Sequence, residues 1–224
     1  MNLLQMICHL PRAIWEARHY DPHVKDEKLH ELARFSYQLC TEWFGVPPDH
    51  VRGYKLIYDV RNRCILPPFV KASYLIALKK GYAEPQYASI IAHEMYHRVT
   101  MPRPGIHRIR WVDEMIAYGV ERHAVPELGY ADYAEYMHKS FLERPDNLNV
   151  HIIKEFYMKG APSGMDIEAC KLQLDISGIA LGVQLEALVG WKEICKIVGC
   201  LTWEDWLTNL VPEIREKVVA LLDL

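Results

Sequence analysis

Residues 93–97 read His-Glu-Met-Tyr-His. On an α-helix, positions i and i+4 share one face, so the imidazoles of His93 and His97 can converge on a single metal ion. Glu94 stands about 100° further round, where it reaches a water on that metal without ligating the metal itself. Zinc suits this chemistry: it takes imidazole nitrogen, keeps an open fourth position and lowers the pKa of a bound water towards ~7. A pattern with three fixed positions arises by accident now and then in a chain with 11 histidines, so its surroundings carry weight. The preceding YASIIA supplies Ile91, which with Met95 at i, i+4 can bury the back of the helix.

Two histidines leave zinc one protein ligand short. Position 100 is Thr and position 103 is Arg, so the nearby third histidine of an HExxHxxGxxH pattern is missing. His107 lies in the following loop, where histidines are usually solvated. Glu114, with sixteen residues between it and His97, is the better candidate. It falls in a second helical stretch, after a loop long enough to bring that stretch back against the first. Asp113 competes, but helix neighbours point ~100° apart, so the two cannot face one ion equally.

HEMYH followed at this distance by Trp111-Val112-Asp113-Glu114-Met115-Ile116-Ala117 resembles the gluzincin metallopeptidases, a peptidase MA-like group holding thermolysin, zinc aminopeptidases and compact relatives. Their second signature is W-x-N-E-G-x-A, and Trp111, Glu114 and Ala117 match it, with Asp113 in place of Asn and Met115 in place of Gly. The resemblance implies zinc held by His93, His97 and Glu114, with Glu94 as general base and Asp113 in an orienting role. It extends faintly to DISGIALGVQLEALVGWKEI, where Gly178, Leu181 and Gly190 fit but Asp175 stands where relatives carry an oxyanion-stabilising tyrosine. Tyr118, His151 and Tyr157 are the candidates for a replacement donor. ImmA/IrrE-type regulatory proteases are imitated by Glu114, Ala117 and Pro126 and rank second among peptidases; their usual Phe-Ala and Leu-Leu-Met-Pro are absent.

The elements that must position these residues can be read from periodicity. DEKLHELARFSYQLCTEWFG, ending on Gly45, reads as an amphipathic helix. YKLIYDV (54–60) and SYLIAL (73–78) read as strands, being short and rich in aromatic and branched residues. The flanking VPPDH and DVRNRC read as turns, and ILPPF as an edge or loop segment because its prolines cannot donate to a ladder. PQYASIIAHEMYHRV carries the motif on a helix whose proline sits in the tolerated first turn. The loop MPRPGIHRIR precedes a second helix, WVDEMIAYGVERHAV, that Pro126 ends. Beyond lie the helical YADYAEYMHKSFLE, a turn-rich ERPDNLN, a helix around VHIIKEFYMKG, the break APSG, a long apolar stretch from Ile167 to Val189 and two short C-terminal helices.

With strands in the first half and helices in the second, the layout is α+β. The 224 residues, 50% apolar, suffice for one core, and no Gly/Ser/Pro-rich linker divides them. The expectation is one zincin-like domain over residues 1–224, with an N-terminal lobe to 100, a helical lobe from 101 and a zinc cleft between them. The formal charge of -3 disfavours nucleic acid. The first residues carry no basic n-region, His9 and Pro11 break their apolar run, and no stretch of ~18 apolar residues follows. Six cysteines without a CxxC pair read as reduced thiols. These features predict a cytoplasmic chain without membrane insertion.

The expected function is zinc-dependent hydrolysis of a peptide or protein substrate, with one Zn²⁺ per chain and endopeptidase action favoured, since no Gly-x-Met-Glu-Asn-type amine anchor precedes the motif. The competing classes are a non-catalytic zincin-fold domain acting through a protein partner, and a helical protein with no metal. SYLIAL, just ahead of the active helix, is expected to offer its edge to an extended substrate.

Overall fold

The computed structural model describes residues 23–65, 72–142 and 167–222. It is a mixed α+β chain, mostly helical, with one small sheet. Helix α1 (Glu27–Phe44) begins where the Asp26 carboxylate accepts the Lys28 N–H at 3.0 Å and turns out at Gly45, whose φ of 79° favours glycine. Its buried residues Leu29, Leu32, Ala33, Ser36, Cys40 and Phe44 recur at helical spacing. The Arg103 guanidinium caps its last carbonyls, donating to Phe44, and to Gly45 and Val46 at 2.8 and 2.6 Å.

Three strands follow, β1 (Tyr54–Tyr58), β2 (Arg63–Ile65) and β3 (Tyr74–Leu78), in the order β1-β3-β2. β1 runs parallel to β3 with Tyr54 opposite Tyr74, and β2 runs antiparallel with Cys64 opposite Ile76. β2 is an addition to the two strands read from sequence. Its three residues, one of them an exposed arginine, become a strand only because β3 offers a ladder. SYLIAL is corrected in turn: β3 is the central strand, paired on both sides, and has no free edge to offer.

Helix α2 (Glu84–Thr100) carries the motif and is buried almost all round, as a central helix must be. It packs against α1, the sheet and α3 (Arg110–Glu127), and α3 packs in turn on α5 (Ile167–Val189). Ile91 and Met95 are fully buried on the back of α2, as expected. The connecting loop holds a single 3₁₀ turn, Ile106–Arg108. α3 runs one residue past Pro126, whose missing N–H leaves one helical hydrogen bond unmade in the last turn. α4 is Ala131–Leu142, and the chain closes with α6 (Trp191–Lys196), α7 (Trp203–Leu207) and α8 (Pro212–Leu222), three short helices where two were expected. ERPDNLN, VHIIKEFYMKG and APSG, with His151 and Tyr157, lie outside the described residues.

Two close approaches set the spacing of the helices around the motif. Gly178 on α5 faces the Trp111 backbone, where an added Cβ would stand 2.7 Å from the carbonyl oxygen. Gly182, one turn on, faces the Met115 side chain, so the two glycines form a groove that admits α3. On the far side of α2, Arg98 is wholly buried over the Tyr74 ring, 4.1 Å from guanidinium carbon to centroid. It donates to Asp49 at 3.3 Å and to the Arg52 carbonyl at 2.7 Å, while Tyr74 donates to Asp49 at 2.8 Å. This polar knot ties the motif helix to the sheet.

One hydrophobic cluster runs from Val24 to Leu222. Among the described residues no single helix is long and apolar enough to cross a membrane. The bent pair Leu174–Val189 and Trp191–Gly199 reaches the length, but it turns by 114° and contributes Leu174, Leu181, Leu185 and Ile194 to that cluster.

Candidate metal centre

His93 and His97 rise from successive turns of α2 with ring centroids 4.9 Å apart and their Nε2 atoms 3.1 Å apart. Glu114, in the second turn of α3, brings Oε2 to 3.3 Å from His93 Nε2. The three ligand atoms all lie within 4.8 Å of one another. Zinc–ligand bonds of ~2.0–2.1 Å at tetrahedral angles put neighbouring ligand atoms about 3.3 Å apart, so these two separations suit that ion.

Each imidazole has a carboxylate behind it, hydrogen-bonded in the case of His93 and within ion-pair distance in the case of His97. Glu121 Oε1 stands 2.6 Å from His93 Nδ1, and Asp113 Oδ2 stands 3.2 Å from His97 Nδ1. A carboxylate at Nδ1 keeps the proton there and leaves the Nε2 lone pair for the metal. Ser89 donates from its hydroxyl to the other oxygen of Glu121. Arg110, Glu114, Ala117 and Glu121 form one stripe along α3, and the fully buried Ala117 leaves room for α2. Glu121 was not singled out from sequence, although its place two turns beyond Glu114 on that stripe was a usable signal.

No protein family's sequence profile matches the chain, and neither a curated protein nor a solved structure matches it.

The charges around the three ligands are strongly coupled. Burial opposes ionisation of Glu114, but the hydrogen bond and charge of His93, with His97 and Arg110 nearby, outweigh it and hold the carboxyl down at about 2. Burial likewise opposes a charged His93, but Glu114 and Glu121 outweigh it and raise its pKa well above the ordinary value. A divalent cation would replace that proton. Glu94 is buried at 7% exposure, and burial raises its pKa, against the pull of both histidines and of the Cys64 backbone N–H, which donates to it. It therefore lies between the metal ligands and β2, with a proton affinity shifted towards that of a general base. The Cys64 thiol nearby is pushed up to about 12 by burial and by Glu94, which keeps it protonated and a poor ligand.

Arg110 was also missed. Its guanidinium forks onto Asp175 of α5 through Nε and Nη2, at 2.9 and 2.6 Å, and Nη2 lies 3.8 Å from Glu114 Oε1. The position at which a tyrosine was sought thus carries a carboxylate that anchors an arginine. Tyr118 does not join the three ligands; its hydroxyl meets His138 Nδ1 at 3.3 Å, and burial pushes its pKa up to about 12. His107 is fully buried in the loop, with Nε2 3.4 Å from the Thr100 carbonyl oxygen, away from the ligand set.

Proposed function

We propose that the chain is a zincin-type zinc metallopeptidase of the gluzincin kind, hydrolysing a peptide or protein substrate. The observation that carries this reading is the convergence of His93, His97 and Glu114 at separations suited to zinc, with the buried Glu94 beside them. A site built only to hold a metal has no use for Glu94, whose burial costs free energy.

His93 and His97 would hold the ion through Nε2, and Glu114 through Oε2. Zinc bound there supplies Lewis acidity, lowering the pKa of water towards ~7 and polarising a carbonyl. Glu94 takes a proton from the attacking water as its oxygen adds to the peptide carbonyl carbon. It then returns that proton to the amide nitrogen as the C–N bond breaks, so a carboxylic acid and an amine leave and no other reactant is consumed. Glu121 holds the His93 imidazole in the required tautomer throughout, and the Asp113 carboxylate near Nδ1 favours the same tautomer of His97. An extended substrate finds its sheet edge at β2, the outer strand beside Glu94.

The deciding experiment is Glu94→Gln on the zinc-loaded chain, with metal content and cleavage of a peptide library measured together. The expected result is unchanged zinc near one equivalent with turnover reduced by about 10²–10⁴-fold. Unchanged turnover, or wild-type protein that takes up no zinc, would refute the reading.

A further inference from the structure

Addition of water to a carbonyl leaves a negative oxygen that needs a donor beyond the metal, and that donor must sit beside the ligand set and face incoming substrate. Tyr118 is turned to His138, and the Tyr96 hydroxyl is buried next to Asp113. Cys64 is a weak donor. Among the described residues the cation beside the ligands is Arg110, 3.8 Å from the Glu114 carboxylate and half exposed, whereas the ligand side chains themselves are only about one-fifth exposed or less.

Resting on the hydrolytic reading above, we propose that Arg110 is the oxyanion donor of this site and that Asp175 is the residue that positions it. The fork onto Asp175 occupies Nε and one hydrogen of Nη2. A planar guanidinium has five N–H groups in fixed directions, so three remain for a substrate oxygen, and the fork has already fixed their plane. Asp175 is itself mostly covered, at 16% exposure, and comes from a different helix, so Arg110 cannot swing away without breaking both bonds. A role confined to stability would gain little from so exposed an arginine. The α3–α5 contact already has its own close packing at Gly178 and Gly182. Glu114 also benefits: the Arg110 charge lies on the Oε1 side, 3.8 Å away, while Oε2 is the oxygen turned to His93.

The test compares wild type, Arg110→Met, Arg110→Lys and Asp175→Asn, each loaded with zinc and checked for metal content and melting temperature. Two probes are titrated calorimetrically. Inorganic phosphate is a tetrahedral anion that a guanidinium should hold. Acetohydroxamate is a metal chelator with less need of one. The expected result is phosphate binding weakened at least tenfold in Arg110→Met and by a smaller factor in Asp175→Asn, with acetohydroxamate changed less than about twofold and partial recovery in Arg110→Lys. In turnover, Arg110→Met should lower kcat by about 10²–10³-fold with KM within about threefold. Equal binding of both probes by wild type and Arg110→Met, with zinc retained, overturns the role of Arg110 while leaving the hydrolytic reading standing. Wild type that binds no zinc overturns both. Should Arg110→Met fail to fold, Arg110→Lys and Asp175→Asn decide: unchanged phosphate affinity in both overturns the proposal.

Discussion

Replacing Glu121 tests whether the carboxylate behind His93 tunes the metal site. Glu121 is about one-fifth exposed, stands 2.6 Å from Nδ1 of His93, and touches no proposed ligand atom directly. Loss of such an outer partner typically costs 10–100-fold in metal affinity. At ~1.36 kcal/mol per tenfold that is about 1.4–2.7 kcal/mol. The two ends of the range separate by chemistry. Glu121→Gln keeps an oxygen that can accept the Nδ1 proton, so the tautomer survives and only the charge is lost, for about a tenfold loss. Glu121→Leu removes the acceptor, frees the ring to turn and strands the Ser89 hydroxyl, for about a hundredfold loss. Zinc affinity is read by competition with a chromogenic chelator at neutral pH, and melts of the metal-free proteins show whether the variants fold. Zinc affinity of Glu121→Leu within threefold of wild type, in a folded protein, would show that His93 needs no partner at Nδ1.

The metal-free pair of His93 and Glu114 dictates a pH profile. The raised His93 contributes stability that is complete below its unfolded pKa of 6.5 and is lost as pH rises through its folded pKa; the depressed Glu114 contributes above 4.5 and loses this only as pH falls towards about 2. Zinc competes for the His93 proton, so its affinity should rise about tenfold per pH unit from neutrality until His93 deprotonates, and calorimetry in buffers of different ionisation enthalpy should count that proton; no proton release at neutral pH would contradict the pairing. Gly178→Ala should lower stability by about 1–3 kcal/mol in a denaturant titration, because the added Cβ would stand 2.7 Å from the Trp111 carbonyl oxygen and that backbone must shift to relieve the clash; a neutral effect would mean that α3 and α5 are more loosely packed. Asp49→Ala, which leaves the buried Arg98 without its carboxylate, should cost about 3 kcal/mol by the same measurement, and a loss below ~1 kcal/mol would show that the Arg52 carbonyl alone suffices.

The main helices and two strands were legible because their signals are local. Leu29, Leu32, Ala33 and Phe44 repeat with the period of a helix and are buried, and Gly45 marks its end. β2 was not legible: Arg63-Cys64-Ile65 has no strand pattern of its own and pairs because β3 lies alongside. The same pairing makes β3 central and removes the edge that its apolar sequence had suggested.

For the candidate site the division has the same cause. By itself the sequence determined that His93 and His97 share a face and that Glu94 flanks it, since an i, i+4 pair on one helix needs nothing beyond helix geometry. It also placed Glu114 and Asp113 on a second helix and offered Glu114 as the better ligand. Only the tertiary structure decided that Glu114 turns towards His93 while Asp113 turns to Nδ1 of His97. The placement of α3 depends on Ala117, on Gly178 and Gly182 against Trp111 and Met115, and on the preceding loop, which Arg103 ties to the end of α1. None of these contacts is close in sequence. Glu121 behind His93 and Arg110 forked on Asp175 come from that same docking, where a helix face acquires chemistry only once the facing helix is in place.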